Sequence, residues 1–150
     1  MKKFVAVLLM MFSVMTWANK KPDVIIDYKN KEKIAITPHV CEVVEGLVDE
    51  VVVKMEKGAS DDTLVQLLAN LSIKEVADTS TYLSAYMVGS AVPYIRTMLD
   101  NPTVLVFMHN HPDRTKAESV AATMRLKCDV QHGTQYEAPR RLYLIKDKSI

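Results

Sequence analysis

The sequence predicts a mainly α protein, a small bundle of about five helices closed by one disulfide, and it allows a short strand in the N-terminal leader or the C-terminal tail. Three observations carry this. Apolar residues recur at three-four spacing through the middle of the chain, Thr37-Pro38 and Asn101-Pro102 repeat one helix-start signature, and Cys41 and Cys128 are the chain's two cysteines.

At the N-terminus, Met1-Lys2-Lys3 precedes an apolar stretch from Phe4 to Trp17, of the length of a signal-peptide hydrophobic region and short for a bilayer span. Thr16 and Ala18 supply small residues for cleavage near Ala18. Residues 1–18 are therefore expected to be a secretory signal peptide, which would place the protein in the periplasm or outside the cell; an uncleaved anchor is the alternative. Losing Lys2 and Lys3 takes the formal net charge from +1 to −1, a balance that argues against nucleic acid or an anionic membrane as the main partner.

Residues 19–36 read as a leader, either mobile or an edge strand around Val24-Ile25-Ile26. Residues 37–128 read as the helical domain. Thr37 caps the first helix with Pro38 in its first turn, Val40, Val43, Val44, Leu47, Val48, Val51, Val52 and Met55 form its apolar face, and Gly58 ends it. Ser60, with Asp61 and Asp62 in the first turn, starts a second helix buried through Leu64, Leu67, Leu68 and Leu71. Ser72 and Glu75 have capping-box spacing for a short third helix. Thr79 and Ser80 lead into another through Tyr82, Leu83, Tyr86 and Met98, with a kink expected near Gly89 and Ser90 because Pro93 removes a backbone donor. Thr103 to Met108 fits helix or buried strand, and helix is favoured by its flanks. A last helix from about Asp113 carries Ala117, Val120, Ala121, Met124 and Cys128 on one face. Residues 129–150 form a polar tail in which Arg140 to Ile145 could make one strand.

In an oxidising compartment two cysteines pair in one way if the bond is intramolecular, and a loop of this length would add about 4 to 5 kcal/mol as an upper figure. The alternative is two separately buried thiols. One domain of this size is marginal enough to profit from such a staple.

One cluster has the residues for chemistry, His109-Asn110-His111-Pro112-Asp113. With the apolar run before it and Ser119 after it, it is similar to the His-x-His-Pro motif of the JAMM/MPN metallopeptidases. That motif ends in an aspartate ligand three residues beyond the serine, where this chain has Ala122. Two imidazoles fall short of the three protein ligands a catalytic zinc keeps, so no metal is expected, with His109 and His111 the remote candidates. No Gly-rich phosphate loop and no G-x-S-x-G elbow is present, which argues against an enzyme. No cofactor is expected.

Val104 to Cys128, in which His111-Pro112-Asp113-Arg114 opens an Ala-rich helix ending in a cysteine, resembles the end of the Tai/Rap-type immunity proteins of type VI secretion. Those are small exported helical proteins that bind and block peptidoglycan amidases. Members usually carry more cysteines than the two found here. The resemblance implies an exported immunity or inhibitor protein whose partner is another protein, an amidase-like effector. A periplasmic chaperone or stress protein is the runner-up. Candidate partner-binding residues are His111, Asp113 and Arg114, together with Glu42, Glu45 and Asp49 on the acidic side of the first helix, which otherwise serves as a solvated face. Tyr82, Tyr86 and Tyr94 either form an aromatic contact surface or pack under the first helix.

Overall fold

The computed structural model describes residues 24–144; the expected signal peptide and the last residues of the tail lie outside the described residues. Seven elements follow in order: β1 (Val24–Ala35), α1 (Pro38–Glu56), α2 (Asp61–Lys74), α3 (Thr79–Met98), α4 (Pro102–Asn110), α5 (Lys116–Asp129) and β2 (Gln135–Tyr143). The protein is mainly α with a small two-stranded sheet, and Cys41 is bonded to Cys128.

Each helix starts where a side chain satisfies a backbone N–H that the helix cannot. Thr37 Oγ1 accepts from Val40 N, with Pro38 in the first turn, and Ser60 Oγ accepts from Thr63 N. α1 then buries Val40, Val44, Val48, Val51, Val52 and Met55 against α3 on one side and α5 on the other. It ends at Gly58, whose φ of 88° favours glycine, and Ala59 N closes the turn on the Lys54 carbonyl.

Three local expectations change. Ser72 starts no new helix: it lies inside α2, buried, and its hydroxyl donates to the Leu68 carbonyl at 2.9 Å, so α2 runs on to Lys74. The next helix is capped by Asp78, whose carboxylate accepts from Ser80 N and Thr81 N and donor contacts, led by the Thr81 side chain, hold its pKa below the usual value. Thr79 and Ser80 thus fall within α3, which continues through Pro93; this proline is on the exposed side, where water can serve the backbone group it leaves unbonded. The last helix begins at Lys116 instead of Asp113, because Thr115 and Glu118 form a reciprocal capping box: Glu118 N donates to Thr115 Oγ1 at 3.1 Å and Thr115 N to Glu118 Oε2 at 2.7 Å.

The leader and the tail meet as one antiparallel ribbon, running from Val24 opposite Tyr143 to Ala35 opposite Gln135. Its register slips between Asp27, opposite Arg140, and Lys31, opposite Pro139. Pro139 lacks the ladder donor, so a bulge opposite it is where a proline is tolerated in a sheet. Asp27 shapes the bulge by accepting from Lys29 N, Asn30 N and Asn30 Nδ2. Tyr82 of α3 donates its hydroxyl to the Pro139 carbonyl, and Arg141 reaches Glu32 at 2.6 Å, the Val76 carbonyl and Thr79 Oγ1. Ile34, Ile36 and Ala138 enter the same core as the helices.

Cys41, fully buried in the first turn of α1, is tied to Cys128 near the end of α5 across 87 residues of sequence, with Cα atoms 5.6 Å apart. Replacing both cysteines by alanine is expected to lower unfolding stability by about 2–5 kcal/mol, read as a lower urea midpoint; an unchanged midpoint would show that the packing of α1 on α5 alone sets the stability.

Candidate functional site

Helix α4 is an element whose composition and burial disagree. Pro102 starts it with Asn101 as cap, and Pro112 follows its end, so nine residues carry the apolar run Val104 to Met108 around the whole circumference of a short helix. Only Val104 is buried; Leu105 is 51% and Val106 60% exposed. Leu105 and Val106 are adjacent, and contiguous exposed apolar surface of this kind is a candidate interaction site.

The turn after α4 carries the sequence-predicted residues. His111 caps the helix through its N–H to the Phe107 and Met108 carbonyls, and its ring lies 4.5 Å from the Phe107 ring, tilted by 37°. Arg114 covers that ring with its guanidinium 5.6 Å from the centroid. Asp113 and Arg114 then form one wall of a cleft of about 380 Å³ whose other walls are Glu45, Gly46 and Asp49 of α1 and Glu118 and Ala121 of α5. Four carboxylates and the Arg114 guanidinium thus line the cleft. Burial raises the Asp49 pKa first, and repulsion from Glu118 and Glu45 raises it further.

Of the six candidate partner-binding residues, Glu45, Asp49, Asp113 and Arg114 share this cleft, and His111 joins it through Phe107. Glu42 stands apart, toward the start of α1, 3.3 Å from His39 Nδ1 and 3.9 Å from Arg125. Arg125 of α5 also holds Glu45 at 3.0 Å and Asp129 at 3.2 Å, so the acidic side of α1 is tied at that end to a cation. Leu105, Val106 and Phe107 were not singled out by sequence reasoning. The available signal was the run itself, five apolar residues bracketed by prolines with no polar side.

The tyrosines do not form one surface: Tyr82 is buried, Tyr86 meets Tyr136 edge-on at 6.2 Å, and exposed Tyr94 lies under Lys127. A second, largely apolar cavity of about 250 Å³ lies between the ribbon and helices α2 and α3. Its Ser72, Tyr82 and Ser90 hydroxyls all donate to backbone carbonyls.

The segment resembling the metallopeptidase motif folds as helix, turn and helix. Ser119 is buried and donates to the Thr115 carbonyl at 2.8 Å, a helix-internal bond, while Ala122 is buried and His109 and His111 are exposed. Among the described residues, the one group of three potential metal ligands is Cys41, Asp129 and His132, at the other end of α5. No helix among the described residues is long and apolar enough to cross a membrane. Fold and site together define a mainly α, disulfide-closed domain that leaves an apolar helix beside an acidic cleft. Comparison with protein-family models, curated proteins and solved structures finds no match for the chain.

The Asp49 shift fixes the sign of a pH effect. A carboxyl whose pKa is higher folded than unfolded binds more protons in the folded state between those two values, so its contribution to stability falls as pH rises through that window. Asp49→Asn is therefore expected to raise the urea midpoint at pH 7 and to lose that advantage as pH drops toward the ordinary carboxylate range. Equal midpoints for variant and wild type at pH 7 would remove the repulsion argument.

Proposed function

We propose that this chain is an exported protein of the periplasm or cell envelope that works by binding and occluding another protein, in the manner of an immunity protein against a cell-wall-targeting effector. The observation that carries the reading is the exposed apolar flank of α4, Leu105 and Val106, set beside a cleft lined by four carboxylates and Arg114. An apolar anchor with a charged rim is how protein interfaces combine affinity with orientation. The partner that fits has an apolar pocket for α4 and a Lys or Arg beside it to enter between Glu45, Asp49, Asp113 and Glu118. The disulfide is consistent with an oxidising compartment and supports the export part of the reading. The resemblance of Val104 to Cys128 to immunity proteins points to a peptidoglycan amidase as the partner class, and α4, the turn and α5 are the stretch it covers.

The decisive experiment pairs the purified protein with peptidoglycan amidases, by calorimetry and by inhibition of cell-wall hydrolysis. A one-to-one complex that blocks hydrolysis is expected. Full burial of Leu105 or Val106 is worth about 1.5–3 kcal/mol each, so L105D with V106D should weaken the complex tenfold or more without lowering the melting temperature. Absence of any complex would reject the immunity reading, and suppression of aggregation in several unrelated clients would put a chaperone in its place.

A further inference from the structure

We infer that the end of the molecule opposite the α4 corner is a redox-gated zinc site: with the disulfide reduced, Cys41, Cys128, Asp129 and His132 converge on one tetrahedral zinc ion. The Cys41 sulfur, a carboxylate oxygen of Asp129 and a ring nitrogen of His132 already lie within 4.8 Å of one another. His132 Nε2 is 3.0 Å from Asp129 Oδ1, close to the roughly 3.3 Å that separates nitrogen and oxygen ligands on one tetrahedral zinc. Zinc would take the place of the proton between them. Cys128, outside that group while bonded to Cys41, would turn in as the fourth ligand once the bond is reduced. Two thiolates on one zinc stand about 3.8 Å apart, a span that side chains on Cα atoms 5.6 Å apart can meet by rotation.

The backbone holds these groups in place for reasons unrelated to a metal. Cys41 sits in the first turn of α1, Cys128 and Asp129 end α5, and His132 lies in a turn pinned by Gly133 N to the Ile36 carbonyl at 3.0 Å and by Ile36 N to the Thr134 carbonyl at 2.9 Å. Arg125 Nε contacts both Asp129 oxygens, at 3.2 and 3.3 Å, and so orients the carboxylate from behind, as outer-shell partners of metal ligands do. Two thiolates, one carboxylate and Zn²⁺ leave one negative charge, which Arg125 faces. Both cysteines are buried, while His132 is exposed enough to provide an entry path.

Only thiolates bind zinc in this way, so the disulfide form is closed to it. A dithiol reductant gives two electrons to the Cys41–Cys128 bond and leaves as its own cyclic disulfide, and the two protons on the new thiols are released when Zn²⁺ binds. In reverse, a disulfide oxidant takes two electrons from the zinc-bound thiolates, re-forms the Cys41–Cys128 bond, departs as two thiolates and frees one Zn²⁺. The junction of α1 with α5 is then closed in either redox state, covalently in one and by zinc in the other.

The test uses the full chain, oxidised or reduced with a phosphine, titrated with Co²⁺ as a spectroscopic probe and then with Zn²⁺. The reduced protein should bind one Co²⁺ with a thiolate charge-transfer band and intense tetrahedral visible bands, and Zn²⁺ should abolish both; the oxidised protein should show neither. His132→Ala and Asp129→Ala should each weaken binding tenfold or more while leaving the melting temperature of the oxidised form unchanged. If reduction alone unfolds the chain, Zn²⁺ should restore the helical circular dichroism of wild type and fail to restore that of His132→Ala. A reduced protein with no thiolate band, or variants that bind metal like wild type, would overturn the inference.

Discussion

Helix α1 is packed on two sides, and the rest of the molecule follows from what covers it. Its buried stripe of valines meets α3 on one side and α5 on the other. β-branched residues are indifferent helix formers but stiff ones, losing little further side-chain freedom when packed. Fixing α1 therefore fixes where α3 and α5 can pack. The Cys41–Cys128 bond closes that arrangement at one end, where α5 finishes and the chain turns into β2. Ser84, fully buried in α3, adds a bond from its hydroxyl to the Val40 carbonyl at 2.8 Å, at the level of the disulfide. At the start of α2, Arg96 joins α3 to Asp61 at 2.6 Å and to the Ala59 carbonyl, so the α1–α2 turn is held by a cation from the third helix.

The parts legible in the sequence were those decided within a few residues. Thr37, Ser60 and Asn101 cap helices because their side chains reach a nearby N–H, and the apolar spacing of α1 and α5 states which side is buried. Cys41 and Cys128 are the chain's two cysteines, so counting fixed the partners of an intramolecular bond but not that it forms, which the structure shows. The errors came where two local signals competed. Ser72 has a capping-box partner in Glu75, yet its hydroxyl bonds backwards to Leu68 because α2 continues to be buried there. Asp113 follows a proline and could cap α5, but Thr115 with Glu118 offers a reciprocal pair and sets the start of the helix. The ribbon was half legible: each strand looked weak alone, and their pairing depends on the termini of the domain meeting in space. No local pattern encodes that, although Pro139 and Asp27 mark the bulge once the partner is known.

The candidate site shows the same division. Glu45, Asp49, Asp113 and Arg114 could be named from charge and position, but their convergence is a product of how α5 lies on α1. The exposure of Leu105 and Val106 was beyond sequence reasoning, because an apolar run between two prolines reads equally well as a core segment. What decides it is geometry. A helix of nine residues bracketed by prolines can dock one side only, and Val104 is the residue that does so.

The acidity of the cleft has a packing origin. The side of α5 toward α1 carries Ala117, Ala121 and Cys128, all small and all buried, so the two helix backbones can come close. Close approach brings Glu118 toward Glu45 and Asp49, which are themselves one helical turn apart, and removes part of their hydration. Glu118 and Glu45 then add to the cost of ionising Asp49, and of the cations nearby, Arg125 is turned to Glu42, Glu45 and Asp129 while Arg114 covers Phe107. A fold that needed only stability would place an uncharged residue at Asp49. The repulsion is relieved when a cationic group enters between these carboxylates, and such a group, carried by a partner whose apolar surface covers Leu105 and Val106, would gain at once from hydration lost by the apolar helix and from charge already concentrated in the cleft.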